Sequence, residues 1–161
     1  MKIKVLFVCH GNICRSPMAE FVFRDLVQKK GSGHLFEIAS AATSTEEIGN
    51  PVHPGTRRIL SQHGISAAGK FARQLSCQDG QYYDYIIGLD QRNMMNMNRI
   101  LGKEAKNKLY KLLDFIGESR DVDDPWYTGD FETTYEDVWS GCVALLEHIS
   151  ENYGLFLDEK H

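Results

Sequence analysis

The sequence predicts an α/β fold: a single three-layer domain over residues 1–161, with a central four-stranded parallel sheet flanked by helices and a phosphate-binding loop after the first strand. Three observations predict it. Runs rich in β-branched and aromatic residues alternate with segments of helical periodicity, the pattern of βαβ units. The first run, Ile3–Cys9, is apolar without alternation, as in a strand buried on both faces. No repeat, low-complexity block or Pro/Gly/Ser linker divides the 161 residues, a length at which one core suffices without staples.

The elements follow in order. After the Ile3–Cys9 strand comes a short polar loop, residues 10–16. A helix is expected next, with Ser16 as N-cap and Pro17 at its first position. Ala19, Phe21, Val22, Leu26 and Val27 then recur at helical spacing until Lys29-Lys30-Gly31 closes it. Phe36–Ala42 reads as the second strand, and residues 54–63 as a helix stopped by Gly64. Residues 83–89 form a third strand and Gln91–Leu101 a helix; residues 109–113 supply the fourth strand. Residues 117–129, carrying Asp121, Asp123, Asp124, Pro125 and Gly129, read as a loop. A long amphipathic helix over residues 133–152 closes the chain, with Val138, Cys142, Leu145, Leu146 and Ile149 on its apolar stripe. In such sheets ligands bind beyond the carboxyl ends of the strands, so the loop after the first strand is the place to look.

Composition narrows the function. With 42% hydrophobic and 25% charged residues the chain has a globular balance and not a disordered one. The net charge of −4 argues against general nucleic-acid binding. No apolar stretch approaches the roughly 20 residues needed to span a bilayer, and the N-terminus lacks a secretory cleavage site. The cysteines Cys9, Cys14, Cys77 and Cys142 are therefore expected as reduced thiols in a cytoplasmic protein. No C-x-x-C occurs and the six histidines have no ligand-pair spacing, so no metal site and no cofactor are expected.

The loop reads Cys9-His10-Gly11-Asn12-Ile13-Cys14-Arg15-Ser16-Pro17. Five residues separate Cys9 from Arg15, enough for the loop to curl both ends toward one point. Gly11 and Asn12 tolerate the left-handed backbone that turns successive amide N–H groups inward as an anion nest. The following helix aims its positive dipole end at the same point, and Arg15 adds a guanidinium fork matched to a tetrahedral oxyanion. A phosphate held there has the Cys9 sulfur beneath it, in a field that favours the thiolate, with Ser16 Oγ placed to hydrogen-bond that sulfur. Neither G-x-x-x-x-G-K-[ST] nor G-x-G-x-x-G is present, which excludes the common nucleotide-binding loops.

The segment from Val8 to Pro17 closely resembles the signature loop of the low-molecular-weight protein tyrosine phosphatases. The likeness continues in Ser40-Ala41-Ala42-Thr43, Ala72-Arg73-Gln74, Leu89-Asp90 and Asp124-Pro125-Trp126-Tyr127, in the family's order across nearly the whole chain. The resemblance implies hydrolysis of phosphotyrosine through a phosphocysteine. Cys9 would be the nucleophile, Arg15 the phosphate ligand and Asp124 the general acid and then base, with Asp121 and Asp123 as neighbouring charges. His10, Gly11, Asn12, Ile13, Cys14 and Ser16 would surround the phosphate. Asn12, Ser16 and Ser40 would hold the loop by side-chain hydrogen bonds. Trp126 and Tyr127 would wall the ring. Ile13 stands where arginine phosphatases similar to this family carry threonine, which favours tyrosine. Cys14 would pair reversibly with Cys9 under oxidation. Cys142 is expected in the core and Cys77 as inert.

Implied partners are phosphotyrosine proteins or peptides, with inorganic phosphate, sulfate or vanadate as inhibitory anions; a monomer or weak dimer is expected. Thr45-Glu46-Glu47-Ile48-Gly49 lacks the aromatic that many members place on the opposite wall, and its acidity suggests neutral or basic residues flanking the phosphotyrosine. Two rivals share parts of the pattern. A thioredoxin-coupled arsenate reductase needs further cysteines after the third strand, where this chain has Gly88-Leu89-Asp90-Gln91. A non-catalytic phosphate-binding module needs neither nucleophile nor acid, yet Cys9, Arg15 and Asp124 are all present.

Overall fold

In the computed structural model, which describes residues 2–155, strand β1 (Ile3–Cys9) lies inside the sheet. Successive side chains of a strand point to opposite faces, and here both faces are covered: Val5, Leu6, Phe7 and Val8 are fully buried. Val5, Phe7 and Cys9 join the core beneath α1 (Arg15–Lys29) and α6 (Phe131–Tyr153). Leu6 and Val8 join a second core beneath α4 (Gln91–Leu101). Two buried faces explain why the first run lacks alternation.

The remaining strands are β2 (Phe36–Ala42), β3 (Tyr85–Gly88) and β4 (Leu109–Lys111). They form an all-parallel sheet of order β2-β1-β3-β4. The chain leaves β1 to one side to make β2 and then crosses to the other side for β3. That reversal opens a crevice at the carboxyl end of β1, and Cys9 stands at its mouth.

Several boundaries differ from the sequence expectation. Helix α1 begins at Arg15 with Cys14 at the N-cap, so Ser16 is not the cap and Pro17 is not the first helical residue. Ser16 is a helical residue with its hydroxyl committed to Cys9 and Asn12, and Pro17 still sits in the first turn, where its missing N–H is harmless. Strand β3 is shorter at both ends than residues 83–89, and a short helix, α3 (Asp79–Tyr82), precedes it. After β4 the chain enters a 3-10 segment, Leu112–Ile116, because Leu112 and Leu113 turn in under α6 instead of continuing the sheet. Gly141 of α6 permits this approach: a Cβ there would lie 2.4 Å from Leu112 Cγ.

Helix α2 (Pro54–Gln62) matches its expected place, with His53 as N-cap. The segment read as a loop over residues 117–129 contains one turn of helix, α5 (Pro125–Thr128), with Asp124 as its N-cap. Helix α6 starts earlier than residue 133, at Phe131, because Asp130 caps it through Thr133. Among the described residues no helix is long and apolar enough to cross a membrane.

Candidate active site

Cys9 ends β1, and the next residues wrap over the N-terminus of α1. Asn12 makes the bend. Its φ of 57° is left-handed, and among the described residues it is the one non-glycine with positive φ. Asparagine tolerates that region better than most residues. Gly11, expected to share it, does not; it instead packs closely against Glu47, whose Cγ would lie 3.4 Å from an added Cβ.

The loop carbonyls are bound from outside. Thr43 N–H donates to Cys9 O at 2.9 Å, Ser44 N–H to His10 O at 3.0 Å and His53 N–H to Ile13 O at 2.8 Å. Thr56 Oγ1 donates to Cys14 O at 3.1 Å. Because each peptide is planar and trans, the N–H groups of His10, Gly11, Cys14 and Arg15 point the opposite way, to the concave side. Together with the start of α1 they form an anion nest.

Asn12 turns its side chain away from that nest. Its Nδ2 donates to Ser16 Oγ (2.8 Å) and Ser40 Oγ (2.9 Å), and its Oδ1 accepts Arg73 N–H (3.2 Å). Ser16 Oγ lies 3.0 Å from Cys9 Sγ, and Ser16 N–H donates to the same sulfur at 3.4 Å. Asn12, Ser16 and Ser40 thus act behind the loop, while the cleft itself, about 110 Å³, is lined by other members of the segment: Cys9, His10, Gly11, Ile13, Cys14 and Arg15.

Arg15 is 3% exposed. Its Nη1 donates to Asp90 Oδ2 (2.7 Å) and Val122 O (2.9 Å), and its Nη2 to Asp124 Oδ2 (3.4 Å). Burial opposes the charge, but Cys9, Asp90 and Asp124 outweigh it and hold the guanidinium above its ordinary value. Asp90 is the residue the sequence reading passed over as a mere landmark. With Oδ1 it caps α4 through Asn93 N–H in a capping box, and with Oδ2 it fixes Arg15. The visible signal was an Asp-x-x-Asn start to a helix at the same sheet end as Cys9.

Asp124 reaches the cleft from the far side of the chain. Val122 N–H donates to Leu89 O, tying its loop to the end of β3, and Asp124 Oδ1 accepts Trp126 N–H at 3.1 Å. Asp121 is engaged by other groups: its carboxylate accepts from Lys111 Nζ and Gln91 N–H, each at 3.0 Å. Trp126 and Tyr127 line the cleft with 56% and 82% of their surfaces exposed. Trp126 is steadied by an edge contact with His53, which stacks on Phe131. Glu46 and Glu47 line the cleft from the segment after β2; Glu46 Oε2 lies 2.8 Å from His10 Nε2.

All four cysteines are free thiols. Burial, then the charges of Cys9 and Asp124, push the Cys14 thiol up to about 12, against Arg15. Cys142 is buried in the core, where desolvation raises its thiol, and Cys77 is exposed.

A parallel α/β sheet with a cysteine, an anion nest and a buried arginine at one strand end defines a cysteine-loop phosphatase. Residues 4–154 match the family model described as Low molecular weight phosphotyrosine protein phosphatase. The low molecular weight protein-tyrosine-phosphatase YfkJ of Bacillus subtilis (strain 168) is 46% identical over 151 residues, covering 92% of this chain and 97% of that one. Its crystal structure superposes with a TM-score of 0.91 at 45% identity, covering 94% and 97%. PtpA of Staphylococcus aureus, named for the same activity, is 38% identical over 154 residues, 95% of this chain and 97% of its own. The structure of SP-PTP from Streptococcus pyogenes gives a TM-score of 0.84 at 42% identity, covering 97% and 99%. This chain belongs to the low-molecular-weight phosphotyrosine protein phosphatase family, and it is a hydrolase with that family's protein-tyrosine-phosphatase activity.

Proposed function

We propose that residues 1–161 act as one phosphatase domain that hydrolyses phosphotyrosine and other aryl phosphate monoesters through a phosphocysteine. The observation that carries this is the convergence of Cys9, Arg15 and Asp124 on one cleft, with Arg15 bonded to Asp124 and Ser16 against the Cys9 sulfur. The Cys9 thiolate attacks phosphorus as the bond to the phenolic oxygen breaks, and Asp124 gives its proton to that oxygen. Asp124 then takes a proton from water. The resulting hydroxide attacks phosphorus, the phosphorus–sulfur bond breaks, and phosphate leaves with the thiolate restored. Arg15 and the N–H groups of the loop hold the equatorial oxygens as charge moves to the leaving group. No metal or other cofactor enters these steps. Asn12, Ser16 and Ser40 keep the loop in shape.

Ile13, Trp126 and Tyr127 offer the apolar faces for the substrate ring, and His10 and Gly11 border the phosphate. Phosphate, sulfate and vanadate fit the same nest as competitive anions. Cys14, beside Cys9 in the cleft, takes the redox-regulatory place: once a peroxide has oxidised Cys9 to a sulfenic acid, the Cys14 sulfur displaces water to form the disulfide. The four free thiols suit a cytoplasmic setting, with the chain a monomer or weak dimer.

The test is turnover of p-nitrophenyl phosphate with chelator present. The parent is active and inhibited by vanadate. Cys9→Ser loses turnover by at least about 10³-fold, the scale of a lost nucleophile, while still binding phosphate. A Cys9→Ser variant with parental turnover would overturn the mechanism.

A further inference from the structure

A charge taken out of water needs a partner, and one buried cation has no part in the reaction steps. Lys111 ends β4 and is 7% exposed, the one buried lysine among the described residues. Its Nζ donates to Ser119 O at 2.6 Å and to Asp121 Oδ1 at 3.0 Å. Both acceptors belong to the segment that runs from the 3-10 turn to α5 and carries Asp124. Asp121 Oδ1 also accepts the N–H of Gln91 at 3.0 Å, and Gln91 opens α4 next to its cap, Asp90.

From Asp121 the tie reaches the cleft in a few residues. Val122 is fully buried; its N–H donates to Leu89 O, and its O accepts Arg15 Nη1 at 2.9 Å. Two residues on, Asp124 Oδ2 lies 3.4 Å from Arg15 Nη2. The end of the segment is held separately, by Thr134 Oγ1 on Asp123 O at 3.2 Å and by the cap that Asp124 gives α5. Residues 118–124 form no helix or strand, so these few bonds set their course. On the solvent side Arg120 forks onto Asp137 of α6, with both bonds 2.8 Å, but its side chain is 52% exposed and such pairs hold weakly. Lys111 grips the segment from beneath, at a backbone carbonyl and a carboxylate at once.

We propose that Lys111, through Ser119 O and Asp121, is a positioning residue that fixes the segment carrying Asp124, so that this carboxyl meets the leaving oxygen of the substrate. This rests on the reading of Asp124 as the general acid. Lys111 does not line the cleft and acts only through the chain it holds. Proton donation needs the carboxyl within hydrogen-bond reach of the leaving oxygen, and a displacement of about 1 Å costs much of that advantage. Phosphate binding is less exposed to such a shift. Cys9 and the N–H groups of its loop are held from β2, α2 and α1, and Arg15 keeps its bond to Asp90.

Two aryl phosphates with different leaving groups separate the roles. Phenol, with a pKa of about 10 like the tyrosine side chain, leaves badly without a proton; dinitrophenolate, a far weaker base, leaves well without one. Lys111→Met keeps an adaptable chain of similar length and removes the charge and the donors. It is expected to lower kcat/KM about tenfold for phenyl phosphate and less than about twofold for dinitrophenyl phosphate, with inhibition by inorganic phosphate near the parental level. Asp121→Ala, at a side chain 44% exposed, gives the same selective loss and decides the matter if Lys111→Met does not fold. Asp124→Asn sets the scale, with a larger loss of the same selectivity. If Asp124→Asn is selective while Lys111→Met and Asp121→Ala lose both substrates equally, or lose neither, the proposal is overturned and Asp124 stands as the acid. An Asp124→Asn that loses both substrates equally would sink the reading of Asp124 itself, and the role of Lys111 with it.

Discussion

A guanidinium serves a phosphate only if its own orientation is fixed, and at Arg15 that orientation comes from Asp90, 75 residues further along the chain. The two oxygens of Asp90 do separate things, which makes the roles separable. In Asp90→Asn one amide oxygen can still cap α4, but the second position presents an NH₂ to Arg15 and repels its donor. We expect kcat/KM for an aryl phosphate to fall about 10²-fold, the scale of a misplaced catalytic group, with the thermal midpoint nearly unchanged. Asp90→Ala removes the cap as well and lowers both. Equal thermal losses in the two variants would mean that Asp90 matters only as a cap. Cys9, Arg15 and Asp124 were legible in the sequence because a dense local motif and a family pattern name them. Asp90 was visible only as a landmark, because no local rule says which distant cation a capping aspartate will also meet. The same holds for Glu20 of α1 and Lys70, which both meet Ser40 of β2.

At the scale of elements, the strands and long helices were legible from periodicity, and the shifts at their ends have one cause: side chains with two possible employers. Ser16 is a good N-cap by propensity, but the Cys9 sulfur claims its hydroxyl, so α1 starts at Arg15 with no side-chain cap. Leu112 and Leu113 have strand composition, but the groove opened by Gly141 turns them under α6. The Asp-Pro of the loop proposed to carry the general acid also starts α5, since Asp124 caps it and Pro125 fixes its first turn. Asp130 shows the cap logic free of catalysis. Thr133 donates to its carboxylate from both Oγ1 and N–H, and these bonds hold Asp130 below its ordinary 3.8. A depressed carboxylate stabilises the native state above its unfolded value, and that contribution is lost as pH falls through the lower native value. Asp130→Ala should therefore melt a few degrees below the parent at neutral pH, with the gap narrowing below pH 3.8. A gap independent of pH, measured by thermal melts across the acid range, would leave the carboxylate's charge without a role in the cap.

The molecule as a whole carries a net charge of −4 yet must admit a phosphate dianion. It resolves this by depth. Among the side chains lining the cleft the arginine is Arg15, set with the N–H groups of the loop, while Glu46, Glu47 and Asp124 line it with carboxylates. Glu46 is a surface partner of His10, its side chain 69% exposed, and Glu47 is fastened by Asn50 Nδ2 at 2.5 Å, so the second of these charges is held in place at the rim. On the proposed reading, a phosphotyrosine in an acidic peptide would meet repulsion on the way in, and one flanked by lysine or arginine would be drawn to the rim before the phosphate reaches the nest. Such steering acts mainly on association and weakens with salt. We expect peptides with basic flanks to exceed acidic ones in kcat/KM by about tenfold at low ionic strength, converging as salt is added. Glu46→Lys with Glu47→Lys should invert the order while leaving kcat for p-nitrophenyl phosphate, which has no flanks, near the parental value. A panel in which acidic peptides lead in the parent, or in which the double substitution changes nothing, would show that selectivity comes from the exposed Trp126 and Tyr127 and not from the field at the opening.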